Sequence, residues 1–310
     1  MSTPEVFSHD PVMVREITEV FATVPNGVIV DATLGGAGHA VALLEAHPGL
    51  KILGLDRDPA ALEASAERLR AFGDRASWQH RRFDDLDAAM EQAGIDELSG
   101  ALFDLGVSSH QFDSGERGFS YRYEAPLDMR MDTTENTTAA DIVNNASEAE
   151  IARLLRDFSD EKFSGRIARA IIAARPIQTT SELAEVVASA IPAPARRRGG
   201  HPAKRTFQAL RIALNKELEI LPNAIDAAVR RTKVGGRVAV LSYHSGEDRI
   251  VKARFKQLST GGCECPSQLP CGCGAKSTVR LVRASSKPSA DEQTKNPRST
   301  SARLRVAEVI

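Results

Sequence analysis

Three short apolar runs each end on an aspartate. Val28-Ile29-Val30 ends at Asp31, Lys51-Ile52-Leu53-Gly54-Leu55 at Asp56, and Gly100-Ala101-Leu102-Phe103 at Asp104. Between the first two lies a glycine turn, Gly35-Gly36-Ala37-Gly38. Such a turn lets the backbone approach a ligand closely, and the helix start behind it favours polar or anionic groups. An acid ending the second strand can accept hydrogen bonds from ribose hydroxyls, and Asp56 stands 18 residues after Gly38, a spacing that suits this role. The expected chemistry is the binding of a nucleotide-type cofactor at the strand ends. A dinucleotide fingerprint would need Gly-x-Gly-x-x-Gly, but Val41 stands where the third glycine permits close helix–strand packing. S-adenosylmethionine has no pyrophosphate to cradle and tolerates the looser turn. A nicotinamide-dependent oxidoreductase is the weaker alternative.

The elements that must position these residues alternate. A strand at 28–31, a helix at 40–46, a strand at 51–56, a helix opened by Asp58-Pro59 and a strand at 100–104 predict a parallel, doubly wound α/β sheet. From Asp113 to Pro202 no buried strand is evident. Capping boxes at Ser147–Glu150 and Thr179–Glu182 instead open apolar-periodic helices. This predicts a small inserted helical domain, so the expected division is 1–112 and 203–310 for the α/β domain and 113–202 for the insertion. The far edge of the insertion, residues 192–200, reads as a mobile basic loop. The α/β pattern resumes with a long helix from about Arg205, expected to kink or break near Pro222. A strand at 237–241 follows, and two alternating runs, Thr278–Val282 and Arg303–Val309, suit an antiparallel pair at a sheet edge. The polar stretch 285–301 between them reads as a mobile excursion.

The charge total conceals a split. The 310 residues carry a formal net charge of −1, yet residues 1–195 hold 17 Lys and Arg against 32 Asp and Glu, and residues 196–310 hold 23 against 9. Arg196, Arg197, Arg198, Lys204, Arg205 and Arg211 lie where the basic portion begins, and phosphate contact is the chemistry such a run offers, a solvated loop the alternative. With 42% hydrophobic residues there is enough for a core. No stretch approaches the roughly 20 apolar residues of a membrane span, and residues 1–11 lack a signal pattern, so no membrane association and a cytoplasmic location are expected. All four cysteines fall in Cys263-x-Cys265 and Cys271-x-Cys273. Four thiolates in eleven residues suit a tetrahedral zinc site, with reduced or locally disulfide-bonded thiols as the alternative; either way the cluster reads as structural.

One further segment holds chemistry. Residues 104–132 contain Asp104-Leu-Gly-Val-Ser-Ser109, Gly115-Glu-Arg-Gly-Phe-Ser-Tyr121 and Pro126-Leu-Asp-Met-Arg-Met-Asp132. Two of the three tyrosines, Tyr121 and Tyr123, lie here, and Tyr243 follows the later strand beside His244. Ordinary packing is one account of them; stacking on an unstacked base is the other.

On these motifs, with Asp31-Ala-Thr-Leu-Gly-Gly-Ala-Gly-His39, Leu55-Asp-Arg-Asp-Pro59, His201–Arg211, Ser242–Arg249 and Asn296-Pro-Arg298, the chain resembles the RsmH (MraW) methyltransferase family along nearly its whole length. The resemblance implies a Rossmann-like S-adenosylmethionine-dependent methyltransferase fold and methylation of N4 of a cytidine in the decoding (P-site) region of 16S rRNA within the small ribosomal subunit. It also implies cofactor contacts from Gly36, Ala37, Gly38, His39, Asp56, Phe83, Asp104 and Gln111. Beside the resemblance, substrate contacts are expected from Arg117, Tyr121, Tyr243 and His244, and from Arg196, Arg197, Arg198 and Arg205 of the basic portion. The sequence departs from the family pattern at Ala37, where a glycine is usual, and at Gly246, where a bulky apolar residue is expected. A catalytically silent RNA-binding relative is a competing reading, and the oligomeric state stays open, a homodimer included.

Cytosine N4 is a poor nucleophile because its lone pair is delocalised into the ring. A site can help by placing an acceptor on the amine hydrogens and by aligning nitrogen, methyl and sulfur. Asp104 is the expected catalytic acceptor, with service to the cofactor alone as the alternative. Many amino-methyltransferases carry prolines and an aromatic at this strand end, but here the segment is Asp104-Leu105-Gly106-Val107, so Tyr121 or Tyr243 is expected to stack on the base. The base must be single-stranded or flipped out to reach the methyl group.

Overall fold

The computed structural model describes residues 11–107, 111, 115–197, 200–266 and 272–310. They divide into two compact units, Met1–Gly106 with Ile220–Ile310, and Val107–Glu219.

The first unit is built on a seven-stranded sheet of order β3-β2-β1-β4-β5-β7-β6. The strands are β1 Gly27–Asp31, β2 Leu50–Asp56, β3 Ala76–His80, β4 Leu98–Asp104, β5 Thr232–Ser242, β6 Val279–Val282 and β7 Arg303–Val309. β1 to β5 run parallel, while β7 lies antiparallel to both β5 and β6. Burial on both faces explains the unbroken apolar runs. Val30, Leu55 and Phe103 pack on one face with Leu86, Met90 and Ile225, while Ile29, Ile52 and Leu102 pack on the other with Ile17, Phe21 and Leu43. β1 lies between β2 and β4, so the chain winds away from it in both directions. Ligands of such sheets bind outside the carboxyl ends of the strands at this switch point, which here carries Asp31, Asp56 and Asp104.

Several elements differ from expectation. β3 and helix Leu86–Ala93 are additions. β3 is an edge strand in which no residue is fully buried, so Ser77, Gln79 and His80 sit in it without an apolar run. β5 begins at Thr232, before the glycine pair. A register shift opposite Leu98 and Gly100 makes a bulge there, Gly235 has φ 81°, and a Cβ on Gly236 would lie 2.6 Å from the Ser99 carbonyl. The helix break falls at Lys216, in the left-handed region at φ 53°, and helix Glu217–Arg231 runs on through Pro222. The stretch 285–301 is ordered by polar contacts. Ser289 caps helix Ala290–Lys295, Ser299 is buried in the turn Pro297–Ser301, and Glu292 Oε1 accepts from the Met13 amide over 2.6 Å.

The second unit is helical: Ala139–Asn145, Glu148–Ser159, Ser164–Ala174, Thr180–Ala190, the short turn Ala193–Arg196, and Lys204–Asn215. Ser147 and Thr179 form the capping boxes, and Thr138 with Asp141 forms a third. The unit extends to Glu219 rather than ending at residue 202. Helix Lys204–Asn215 buries Phe207, Leu210 and Leu214 in the same apolar cluster as Ile151, Leu155, Ile171 and Leu183. Asn215 fixes the Pro126–Asp132 segment to that helix, accepting from the Met131 amide and donating to the Met129 carbonyl, each at 2.9 Å. The stretch expected to be a mobile loop begins with the helical turn Ala193–Arg196; Arg198 and Gly199 lie outside the described residues.

Candidate active site

The glycine turn is shaped by close approaches. Leu34 donates its amide to the Leu55 carbonyl at 2.9 Å, and its side chain fills the space beside Gly54, where a Cβ would come within 2.6 Å of it. Gly35 and Ala37 both have left-handed φ, 50° and 58°. At Ala37 an L side chain carries a strain of about 1–2 kcal/mol that glycine would not, so the departure from the family's usual glycine has a conformational cost. Gly38 has no room for a side chain, because a Cβ would lie 2.2 Å from Pro11 Cγ. The Gly36 carbonyl accepts from Arg68 Nη1 at 2.5 Å. Asp56 anchors the turn: its Oδ2 accepts from the Gly35 amide at 2.7 Å and its Oδ1 from the Asp58 amide at 2.9 Å. Burial pushes its carboxyl above the usual range, against the pull of these two donors. Each oxygen keeps acceptor capacity, which fits a pair of ribose hydroxyls.

Beside it lies a linked set on β1, β4, β5 and the first helix after the turn. Thr33 Oγ1 accepts the Asp104 amide at 2.6 Å. Asp104 Oδ1 accepts from the Tyr243 hydroxyl at 2.6 Å, and Oδ2 lies 3.5 Å from His39 Nε2. His39 is buried, and neither ring nitrogen has a hydrogen-bond partner among the described residues. Burial works against its charge, but Asp104 and then Asp31 outweigh that and hold its pKa above the ordinary value. Burial drives the Asp31 carboxyl up to about 7, and His39 limits the rise. Tyr243 is a firm donor, because burial and then the Asp104 carboxylate push its pKa well above the usual phenol range. The arrangement presents a carboxylate held by the Tyr243 hydroxyl and faced by a buried polar ring whose hydrogen bonds are unmade among the described residues. A polar cofactor ending at β4 fits that ring.

The remaining expected residues divide. Phe83 packs edge-on against Phe103, ring centroids 5.8 Å apart, which leaves it half-buried at the end of the β3 segment. Gln111 is buried. Tyr243 is half-buried: its ring packs against the apolar cluster of Leu241 and Leu304 and its hydroxyl is engaged by Asp104. Tyr121 is stacked on His201, centroids 4.3 Å apart and planes 9° apart, with Phe207 edge-on at 5.7 Å. His244 caps helix Ser245–Thr260, its Nδ1 accepting from the Gly246 and Glu247 amides, so its role in the structure is a local one. That the bulky residue expected at 246 is glycine leaves this cap intact. Arg117 donates to the Arg130 and Met131 carbonyls at 2.9 and 3.1 Å, and Arg211 holds Glu217 through two bonds of 2.9 and 3.0 Å, so both guanidiniums hold the fold. Arg196, Arg197 and Lys204 are exposed; Arg205 is exposed as well but also reaches the Asp160 carbonyl. Cys263, Cys265 and Cys273 converge, while Cys271 lies outside the described residues.

Two participants escaped the sequence reading, and a third was visible only as a strand end. Thr33 seats the Asp104 backbone and Glu247 Oε2 accepts the Tyr243 amide at 2.7 Å, while Asp31, read as a strand end, contributes a second buried carboxyl. Glu247 had a signal, since it stands three residues after its cap, but histidine is an unusual cap residue.

An open parallel sheet with an antiparallel seventh strand inserted between β5 and β6 is the methyltransferase variant of the Rossmann-like fold. The whole length of the chain narrows the class. The Thermobifida fusca protein named ribosomal RNA small subunit methyltransferase H is 49% identical over 307 residues, covering 97% of this chain and 93% of its own. The protein of the same name from Heliobacterium modesticaldum is 46% identical over 312 residues, covering 98% and 99%. The MraW methylase family model matches residues 6–310. The chain belongs to the MraW methylase family. No helix among the described residues is long and apolar enough to cross a membrane.

Proposed function

We propose that this protein transfers a methyl group from S-adenosylmethionine to N4 of a cytidine in the decoding (P-site) region of 16S rRNA within the small ribosomal subunit. The observation that carries this reading is the 46–49% identity, over nearly the full chain, to proteins named as small-subunit rRNA methyltransferases. The nucleotide itself comes from the family resemblance. With that substrate the protein works in the cytoplasm.

The residues fit the chemistry. When bound, the cofactor supplies an electrophilic methyl group on a sulfonium. Asp56 accepts the ribose hydroxyls while the Gly35 and Asp58 amides hold its carboxylate still. Asp104 accepts a hydrogen from the N4 amine, which favours a lone pair localised on nitrogen, and takes the proton that the methylated nitrogen releases. The Tyr243 hydroxyl keeps that carboxylate in place, and His39 lies 3.5 Å from its other oxygen. Phosphate contacts come from the exposed Arg196 and Arg197 and from Lys204 and Arg205, with Arg198, next in the sequence and outside the described residues, as a further contributor. Tyr121 offers a base the ring face that His201 does not cover. The cysteine cluster is structural and outside the transfer step.

Nucleoside mass spectrometry of small-subunit rRNA from cells with and without the protein tests the assignment. Loss of N4-methylated cytidine, restored by the intact gene and not by an Asp104→Ala form, is the expected result; an unchanged level of that nucleoside would overturn it.

A further inference from the structure

The loop between helix Ser245–Thr260 and β6 cannot be held by a core of its own. Residues 261–277 contain one large aliphatic side chain, Leu269, among glycines, prolines, polar residues and four cysteines. Yet its base is closed. Gly262 donates to the Gln257 carbonyl at 2.9 Å and Cys263 to the Thr260 carbonyl at 3.1 Å. On the returning arm, Thr278 donates its amide to the Leu258 carbonyl at 3.1 Å and the Ser277 hydroxyl donates to the Ser259 carbonyl at 2.6 Å. The arms touch at Gly261, in the left-handed region at φ 61°, where a Cβ would lie 2.4 Å from the Lys276 carbonyl oxygen. Above this base the sulfur atoms of Cys263, Cys265 and Cys273 all lie within 4.8 Å of one another, the first two half-buried and the third exposed.

We propose that Cys263, Cys265 and Cys273 form a structural zinc site that clips this loop to the end of helix Ser245–Thr260. Thiolates are soft ligands that favour zinc among the common divalent ions and leave oxygen-seeking magnesium and calcium aside. A tetrahedral site with zinc–sulfur bonds near 2.3 Å separates its sulfurs by about 3.8 Å, so capture requires the three thiols to close in by roughly 1 Å or less. The hydrogen-bonded base fixes both arms before the metal arrives, which lowers the ordering cost of the site. The fourth coordination position goes to a ligand that the three thiols do not specify. The site lies apart from Asp104 and Tyr243 in the chain and changes no step of the methyl transfer.

The test uses the full-length protein, expressed without added chelator and purified under reducing conditions. Elemental analysis is expected to find about one zinc per chain. Cys265→Ser and Cys273→Ser should each drop it to background while leaving the circular dichroism and melting curve near those of the parent, since both positions lie outside the core. Refilling the stripped protein with cobalt should give the intense sulfur-to-metal charge-transfer band and the visible bands of a tetrahedral thiolate site. Removing the metal should speed tryptic cutting after Lys276 by roughly tenfold or more, as the loop loses its clip. Two results would overturn the proposal: a reduced protein that takes up no zinc when offered the metal alone, or zinc retained in both serine variants. A thiol titration of the unreduced, unfolded chain that reveals a disulfide within the cluster would overturn it as well.

Discussion

The Tyr243 hydroxyl donates to Asp104 Oδ1 over 2.6 Å, joining the end of β4 to the residue that follows β5. Tyr243→Phe keeps the ring and its packing and removes only the donor. The lost charge-assisted bond is worth about 1.5–3 kcal/mol, so kcat should fall roughly 10- to 100-fold with KM for the cofactor little changed. Steady-state kinetics on small-subunit particles measures this. A phenylalanine variant with undiminished kcat would show that Asp104 needs no help from Tyr243.

Asp31 predicts a pH dependence of stability. Its carboxyl titrates near 7 when folded against 3.8 in the unfolded chain, so the folded state binds the extra proton between those values. Its contribution is present in full below about pH 4 and is lost as the pH rises through 7. The raised pKa of His39 acts in the same direction at the upper end of that window. Asp31→Asn removes the charge that burial penalises. The variant should melt several degrees above the parent at pH 8, for a gain of up to a few kcal/mol, and the difference should shrink toward pH 4. Melting curves across that range decide it, and a parallel pair of curves would count against the buried carboxyl.

Asp56 serves the turn and the cofactor together. Asp56→Asn turns one acceptor oxygen into a donor amide that faces a backbone N–H, either that of Gly35 or that of Asp58. Affinity for S-adenosylmethionine should fall at least tenfold, or about 1.4 kcal/mol, with a modest loss of melting temperature. Calorimetric titration reads the affinity directly.

The arginines of the inserted unit should separate by task. Replacing exposed Arg196 and Arg197 with glutamine should weaken RNA binding and flatten its log–log salt slope by about one to two units, leaving the melting temperature alone. Arg211→Gln should do the reverse. It strands Glu217, whose side chain is only 9% exposed, at a cost of about 3 kcal/mol, and it should leave the salt slope intact. Filter binding over a salt series, beside melting curves, tells the two apart.

Much of the scaffold was legible because burial on two faces writes itself into the sequence. β1, β2 and β4 are buried along most of their length and carry apolar runs, so Asp31, Asp56 and Asp104 stood out as their ends. The capping boxes at Ser147 and Thr179 were equally plain, being local signals. β3 was hidden because an edge strand needs no apolar run. The end of the inserted unit was hidden too, since an amphipathic pattern at 204–215 says that one face is buried and not against what. At the site the candidates were visible by type but their tasks were not. Nothing in Tyr243 or Arg211 distinguishes a base platform or phosphate clamp from a buried donor or an ion pair; that depends on partners 139 and 6 residues away.

The place of β5 has a consequence for the newborn chain. β4 lies beside β5, yet residues 105–231 separate them in sequence. On a ribosome that gap takes on the order of ten seconds to make, and throughout it the apolar edge of β4 has no strand to pair with. An edge left open for that long invites a chaperone or another chain, so the efficiency of synthesis should depend on how quickly the helical unit folds in the interval.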